Sequence, residues 1–574
     1  MAATLTCPSQ VMQVEISALP CLHFRYRCPI YNPAMTTPAP ITPQPRSARS
    51  AILWSGSAMS LLCLITTCLS HGLHPVVLKI LNSLTGHLFT HPIQRLGNGF
   101  HYETPNQEMP LTAFLFIYAA LCLLSIIPLA KLKRSLSDQE NKPFKFPLVP
   151  PLPLILLFSV IFRIILLFSV PIHESDFYRY LWDGKSATHG INPFLYEPGA
   201  LKLYEQKITT PFKESNNSVT WRGREFAASE KQILSQLQQL RDQNPILHRR
   251  VSHQAVPTIY PPTAQAVFAL SSWLFGDSLI GLKMVLLSFD LLIILLLTSI
   301  LRQLKINPAW VIIYAWSPLV LKEFANSAHY DAVPLFFTLL AIYFTLGQTR
   351  KLKTAAALAL GTLAKFFSVI LLPLLLPPRL SQWKSYTLFS AIILIAYLPF
   401  FFWNQAGPQQ VFAGLGVYNQ HWQYNAGLFA LIQQSLLSIT SISPGNLQPA
   451  KITVALILIT IIAGQSFRPA GDQQDLFKRC FIIIAALFVL SPTAFPWYYT
   501  WVMPFLCVFP SRAWIMLSWL LPLSYLDFHQ DLAISRSYFW HIPALSWIIW
   551  LTFALLFLAD SIKLPQSKPK NSES

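Results

Sequence analysis

Glu174 and Asp176, separated by Ser175, stand just beyond an apolar run that ends at Val170. Two carboxylates this close can share a proton, divide acid and base roles, or coordinate a divalent ion. A solvated loop carries such a pair too, so spacing alone leaves both readings open. What gives the pair weight is its place, because charge at the edge of a lipid-facing segment is costly to keep. Arg179, Asp183, Lys185 and His189 follow within PIHESDFYRYLWDGKSATHGINPFLYEP, residues 171–198.

Further polar groups recur between apolar runs. NSAHYD, Asn326 to Asp331, offers His329 and Asp331 to a sugar hydroxyl or a phosphate, and it is equally the composition of a wet hairpin tip. Lys322 and Glu323 lie about one turn earlier and suit pairing across a helix bundle. Lys365 sits inside LAKFFSVILLP, where a cation needs an anionic partner or a route to water. HWQYN contains His421, Trp422, Tyr424 and Asn425, and Tyr499 closes PWYY. Aromatic faces beside hydrogen-bonding groups suit sugar rings, and they also suit an interfacial belt. There is no Walker loop, no GxGxxG after a strand, no HExxH and no GxSxG.

The elements that must carry these groups are set by composition. Of 574 residues, 53% are hydrophobic and only 11% charged, against roughly 25% charged in soluble domains. The net charge of +18 sits in short links between apolar runs, which fits membrane topology and anionic lipid better than nucleic acid. The 8 cysteines make neither a metal pattern nor a disulfide framework. No basic start followed by an apolar core announces a cleavable signal.

The reading is an all-α, polytopic membrane protein with roughly 12–14 spans and both ends cytoplasmic. Residues 1–50 read as a disordered cytoplasmic tail, 51–562 as the membrane domain, and 563–574 as a second cytoplasmic tail. Lys131, Lys133 and Arg134 end the second span, so the third, about Pro151 to Val170, delivers a long outer loop, 171–258. Within that loop Ile233, Leu234, Leu237 and Leu240 share one helical face, predicting a surface helix over 228–250. Pro261 and Pro262 predict a short interfacial helix in TIYPPTAQAVFAL. A single span is expected from Pro308 to about Phe324. Over Thr354 to Leu376 a break near Lys365 and Phe366 is expected, because basic residues flank both ends. Five outer links gather His, Asn, Asp, Trp and Tyr, while the cytoplasmic links hold little beyond Lys and Arg. Function therefore belongs on the outer face.

HESDFYRYLWDGKSATHGINPFLYEP resembles the first outer loop of GT-C-fold glycosyltransferases, multi-spanning enzymes that use polyprenyl-phosphate sugars. YPPTAQAVFAL, SPLVLKEFANSAHYDAV, LAKFFSVILLPLLL, HWQYNAGLF and SPTAFPWYYTWVMPFL look like further blocks of the bacterial mannosyltransferase-like branch, in the same order. The likeness covers about Pro171 to Pro510 and leaves the insert near 201–250 unaccounted for. It implies a GT-C-like fold and inverting transfer of a hexose, mannose in that branch, to a lipid or glycan acceptor. Where that family has an Asp-x-Asp-like motif, this chain reads Glu-x-Asp. By the likeness Asp176 is the base, with Glu174 beside it. Arg179, Lys185 or Lys365 would balance the lipid phosphate. His329, Asp331, His421 and Tyr499 would line the site. The likeness demands no metal; a divalent cation stays open. A multi-spanning secondary transporter and a non-catalytic envelope-assembly subunit are the alternatives from other classes.

Overall fold

The computed structural model describes residues 46–71, 111–137, 151–201, 231–347, 351–439, 446–469, 471–528, 538–539 and 542–562. The expectations for residues 1–45, the outer link at His529 and Asp531, and the tail after 562 lie outside them. Residues 46–50, read above as tail, form the start of the helix Arg46–Ser70.

Among the described residues, 6 helices are long and apolar enough to cross a membrane, from Ala48–Ser70 to Ala544–Ile562. Shorter apolar helices accompany them: Pro151–Leu167, Ala332–Leu346, Phe366–Leu375 and Gly427–Ile439. Large apolar side chains such as Trp54, Phe116, Ile395 and Leu551 point outward on the long helices, as lipid-facing surfaces require. Among the described residues the chain is an all-helical membrane protein, apart from one pair of two-residue strands, Tyr538–Phe539 and Ile542–Pro543.

Proline and capping residues set many helix starts. Pro151, Pro245 and Pro262 open helices where a missing N–H costs nothing. Ser278 and Asp472 accept backbone N–H groups at two more starts. The insert helix runs Lys231–Gln243, with Leu234, Leu237 and Leu240 buried. A second short helix, Pro245–Arg250, follows where one helix over 228–250 was expected, because Asn244 and Pro245 restart the chain. The helix Asp176–Thr188 packs on Pro262–Phe275. Gly184 permits this, since a Cβ there would stand 2.4 Å from the Phe268 carbonyl oxygen.

The segment expected as one span from Pro308 is broken. It runs as a 3₁₀ turn, two short α turns, and a π-helical turn, Leu321–Asn326. The Ser327 N–H donates to the Lys322 carbonyl at 2.9 Å, five residues back. Such irregular backbone is tolerated at membrane depth only when protein surrounds it, and every residue from 321 to 326 is buried. At Lys365 the chain is extended between Lys351–Ala364 and Phe366–Leu371, so this span is also interrupted. Deeper in the bundle Arg163 Nε pairs with Asp290 at 2.6 Å, and the Tyr314 hydroxyl donates to the same carboxylate at 2.8 Å.

Candidate active site

The acidic link is held from below by the helix it leaves. Lys283 is fully buried, and its ammonium donates to the Leu166 carbonyl at 2.8 Å and to Ser169 carbonyl at 2.6 Å. The first closes the helix Pro151–Leu167 and the second lies two residues past it, where a cation suits the negative end of the helix dipole. Asn326, ending the π turn, donates to Ser169 Oγ and the Val170 carbonyl, both at 2.9 Å, and accepts the Ile172 N–H at 3.0 Å. Residues 169–172 are thus clamped, and Glu174 and Asp176 leave from a fixed point.

From there a closed circuit of contacts joins links far apart in the chain. Ser252 Oγ donates to Asp176 Oδ1 at 3.4 Å. The neighbouring His253 ring meets Trp422 edge-on, centroids 4.7 Å apart. Trp422 lies 5.4 Å from the Tyr418 ring, and the Tyr418 and Tyr498 hydroxyls are 2.9 Å apart. Tyr498 adjoins Trp497, whose indole stacks on His329 at 4.2 Å. His329 Nε2 then stands 3.7 Å from Glu174 Oε1, which closes the ring. Gly414 lets the Ala413–His421 helix approach, since a Cβ there would sit 2.5 Å from the Pro257 carbonyl oxygen.

One buried ion pair faces this circuit. Lys365 Nζ donates to Asp331 Oδ1 at 2.7 Å, and Trp501 Nε1 donates to the same oxygen at 2.7 Å. Asp331 Oδ2 has no hydrogen-bond partner and is buried. The Lys365 ammonium also lies over the Tyr498 ring, 4.0 Å from its centroid, a favourable cation–π placement. An ammonium has three N–H donors, so the Asp331 bond leaves capacity for an anion.

Burial, then the nearby charge of Glu174, raises the Asp176 carboxyl above its ordinary range. Burial, partly offset by Lys322, pushes Glu174 up to about 7. Burial lowers His329 despite the carboxylates around it. These are directions expected where charge is held out of water.

The sequence-selected residues divide. Glu174, Asp176, His329, Asp331 and Lys365 come together. Arg179 begins one turn on from Asp176; its Nε goes to Asp183 at 2.8 Å, its Nη1 to the Val256 carbonyl at 2.8 Å, and its Nη2 is buried without a hydrogen bond. Lys185 is taken up by Asp277 at 2.7 Å, on the far turn of its helix, so its charge is already matched. Tyr499 is fully buried against Phe488, and its hydroxyl donates to the Trp514 carbonyl. It is a core residue, and Tyr498 faces the circuit in its place. His421 ends its helix, and its side chain lies outside the described part of the structure. Ser252, His253 and Tyr418 were not selected from sequence. The first two sit in the insert's last stretch, where nothing in the local pattern marks them, while Tyr418 lies one turn before Trp422 on a helix.

Among the described residues no three His, Cys, Asp or Glu side chains gather as metal ligands. Comparison of the chain with family models, with curated proteins and with solved structures returns no match.

Proposed function

We propose that this protein is a glycosyltransferase that moves a hexose from a polyprenyl-phosphate donor to a lipid or glycan acceptor. Mannose is the sugar by its resemblance to the bacterial mannosyltransferase-like branch of GT-C enzymes. The reaction inverts the anomeric centre and takes place on the outer face of the membrane. The observation that carries this reading is that Asp176 belongs to a circuit of aromatic rings that Lys365 faces at Tyr498. A base and a cation held apart by ring-stacking surfaces are what transfer from a phosphate ester requires.

In this reading Asp176 takes the proton from the acceptor hydroxyl. The acceptor oxygen bonds to the anomeric carbon, and the bond from that carbon to the lipid phosphate breaks with its electron pair on phosphate. Lys365 and the open Nη2 of Arg179 offset the charge that develops there. The raised Asp176 carboxyl makes a stronger base than an exposed aspartate. Trp422, Tyr418, Tyr498 and Trp497 offer apolar faces to the sugar, and His329 and Asp331 offer polar edges. Lys322, Glu323 and Lys365 are the charges a transport path would use, and each is held in an ion pair.

The test is incubation of purified protein with a panel of labelled polyprenyl-phosphate sugars. Wild type is expected to consume one of them. Asp176→Asn is expected to keep the wild-type unfolding profile and lose at least about 100-fold in transfer. Full turnover in that variant removes the base. Uptake of solute into proteoliposomes, with no donor consumed, would favour the transporter.

A further inference from the structure

The circuit has an extension that the transfer chemistry above does not use. Glu323, on the π turn, is fully buried and lies 3.4 Å from His329 Nε2, on which Glu174 also converges. The Tyr525 hydroxyl donates to both Glu323 oxygens, at 2.9 and 3.1 Å. Lys322 Nζ stands 3.8 Å from Glu323 and donates to Ser327 Oγ at 2.6 Å. Neither His329 nitrogen makes a hydrogen bond, and Glu174 Oε1 makes none either.

Charge counting decides the protonation of this cluster. With both carboxyls ionised, two negative charges face the single positive charge of Lys322, out of water. An unmatched buried charge is strongly unfavourable, and one added proton removes the imbalance. Glu323 is the better held as a carboxylate, because Lys322 is its ion-pair partner and the Tyr525 hydroxyl donates to both its oxygens. His329 is stacked on Trp497 and neutral by burial. That leaves Glu174, the carboxyl with an unpartnered oxygen. The remaining charged groups around the cluster are Asp176, the Lys365–Asp331 pair and Lys283, which neighbours Lys322 and is taken up by the Leu166 and Ser169 carbonyls, with Tyr118 and Tyr424 as further ionisable neighbours.

We propose that Glu174, His329, Glu323 and Lys322 together hold one proton beside Asp176, carried by Glu174, and that Glu323 sets its affinity from its place at the same imidazole nitrogen. Glu323 is then a positioning residue that acts through Glu174. It keeps Asp176 as the sole bare carboxylate facing the acceptor. The role assigned to Asp176 rests on the transferase reading; the shared proton does not.

Infrared titration of the purified full-length protein in detergent reads the proton without any turnover assay. The signal is the carbonyl stretch of a protonated carboxylic acid. Wild type is expected to keep such a band up to neutral pH, and Glu174→Gln to lose it. Glu323→Gln is expected to shift its midpoint to lower pH, since Lys322 is then matched by Glu174. Lys322→Met should shift it to higher pH, the opposite sign, which keeps the test open should either variant fail to fold. His329→Gln should retain the band. A midpoint that neither Glu323→Gln nor Lys322→Met moves overturns the proposal, as does the lack of any band that Glu174→Gln removes. If the infrared coupling holds but no donor sugar is ever consumed, the transferase reading falls and the proton cluster stands. If both hold, Glu323→Gln should also move the acidic limb of the turnover profile.

Discussion

Two ion pairs of this bundle, Arg163–Asp290 and Lys365–Asp331, are built differently. Arg163 and Asp290 are each at most 2% exposed at the side chain, and the guanidinium also donates to the Ser159 and Ala315 carbonyls while Tyr314 donates to the carboxylate. Helices are stapled together, and the one guanidinium nitrogen left unbonded, Nη2, is sealed inside the bundle. Lys365 and Asp331 are also directly bonded, but the lysine side chain is 17% exposed, it rests on aromatic rings, and Asp331 keeps one oxygen unpartnered. Both pairs keep one unbonded atom, Arg163 Nη2 and Asp331 Oδ2. What separates them is access: the first pair is sealed, while the second has a cation that solvent or a ligand can reach.

The sharpest way to break this contrast is to remove the cation from each pair. Arg163→Ala leaves Asp290 buried and uncompensated, which should cost about 3–5 kcal/mol and show as a large drop in folded yield or thermal midpoint. Replacing both partners with Met and Leu should recover most of that. Lys365→Met should do the reverse: a smaller change in midpoint, because Trp501 still donates to Asp331, but a loss of roughly 100-fold in transfer. If the two variants lose stability equally and Lys365→Met keeps its turnover, the distinction fails.

A pH series sharpens it further. Glu174 is raised from its ordinary 4.5 to about 7, so its contribution to stability is complete below about 4.5 and lost as pH rises through about 7. That interval is worth at most about 3 kcal/mol. Unfolding midpoints should therefore fall over this range in wild type and fall less in Glu174→Gln. An identical pH slope in the two proteins would place Glu174 in ordinary solvent. The smallest effect belongs to Tyr499→Phe, which removes one hydrogen bond to the Trp514 carbonyl. It should cost about 1 kcal/mol in unfolding and leave transfer unchanged; a loss of transfer would return Tyr499 to the site.

The helical class and the acidic link could be read from the chain because apolar runs and isolated charges are local signals. The same holds for the interruption at Lys365, where basic residues at both flanks disfavour a plain crossing. What could not be read was direction. Tyr498 and Tyr499 are adjacent and chemically alike, and only the 3₁₀ turn Pro496–Trp501 decides that one faces the circuit and the other the core. Lys185 and Lys365 are both cations near apolar segments, and their difference lies in Asp277 and Asp331, set by tertiary packing. The broken run after Pro308 was read as a single span because its composition is uniformly apolar. Its two prolines were visible, but the wide turn at its end depends on a hydrogen bond that no local pattern announces.

That wide turn acts as a shared mount. Its last residue, Asn326, grips the strand of backbone from which Glu174 departs, and its third, Glu323, meets His329 at the same ring nitrogen that Glu174 approaches. Deleting one residue there would tighten the coil and swing both acids out of register together. The spacing between them is therefore fixed mechanically by six residues of backbone, whatever happens to the helices on either side.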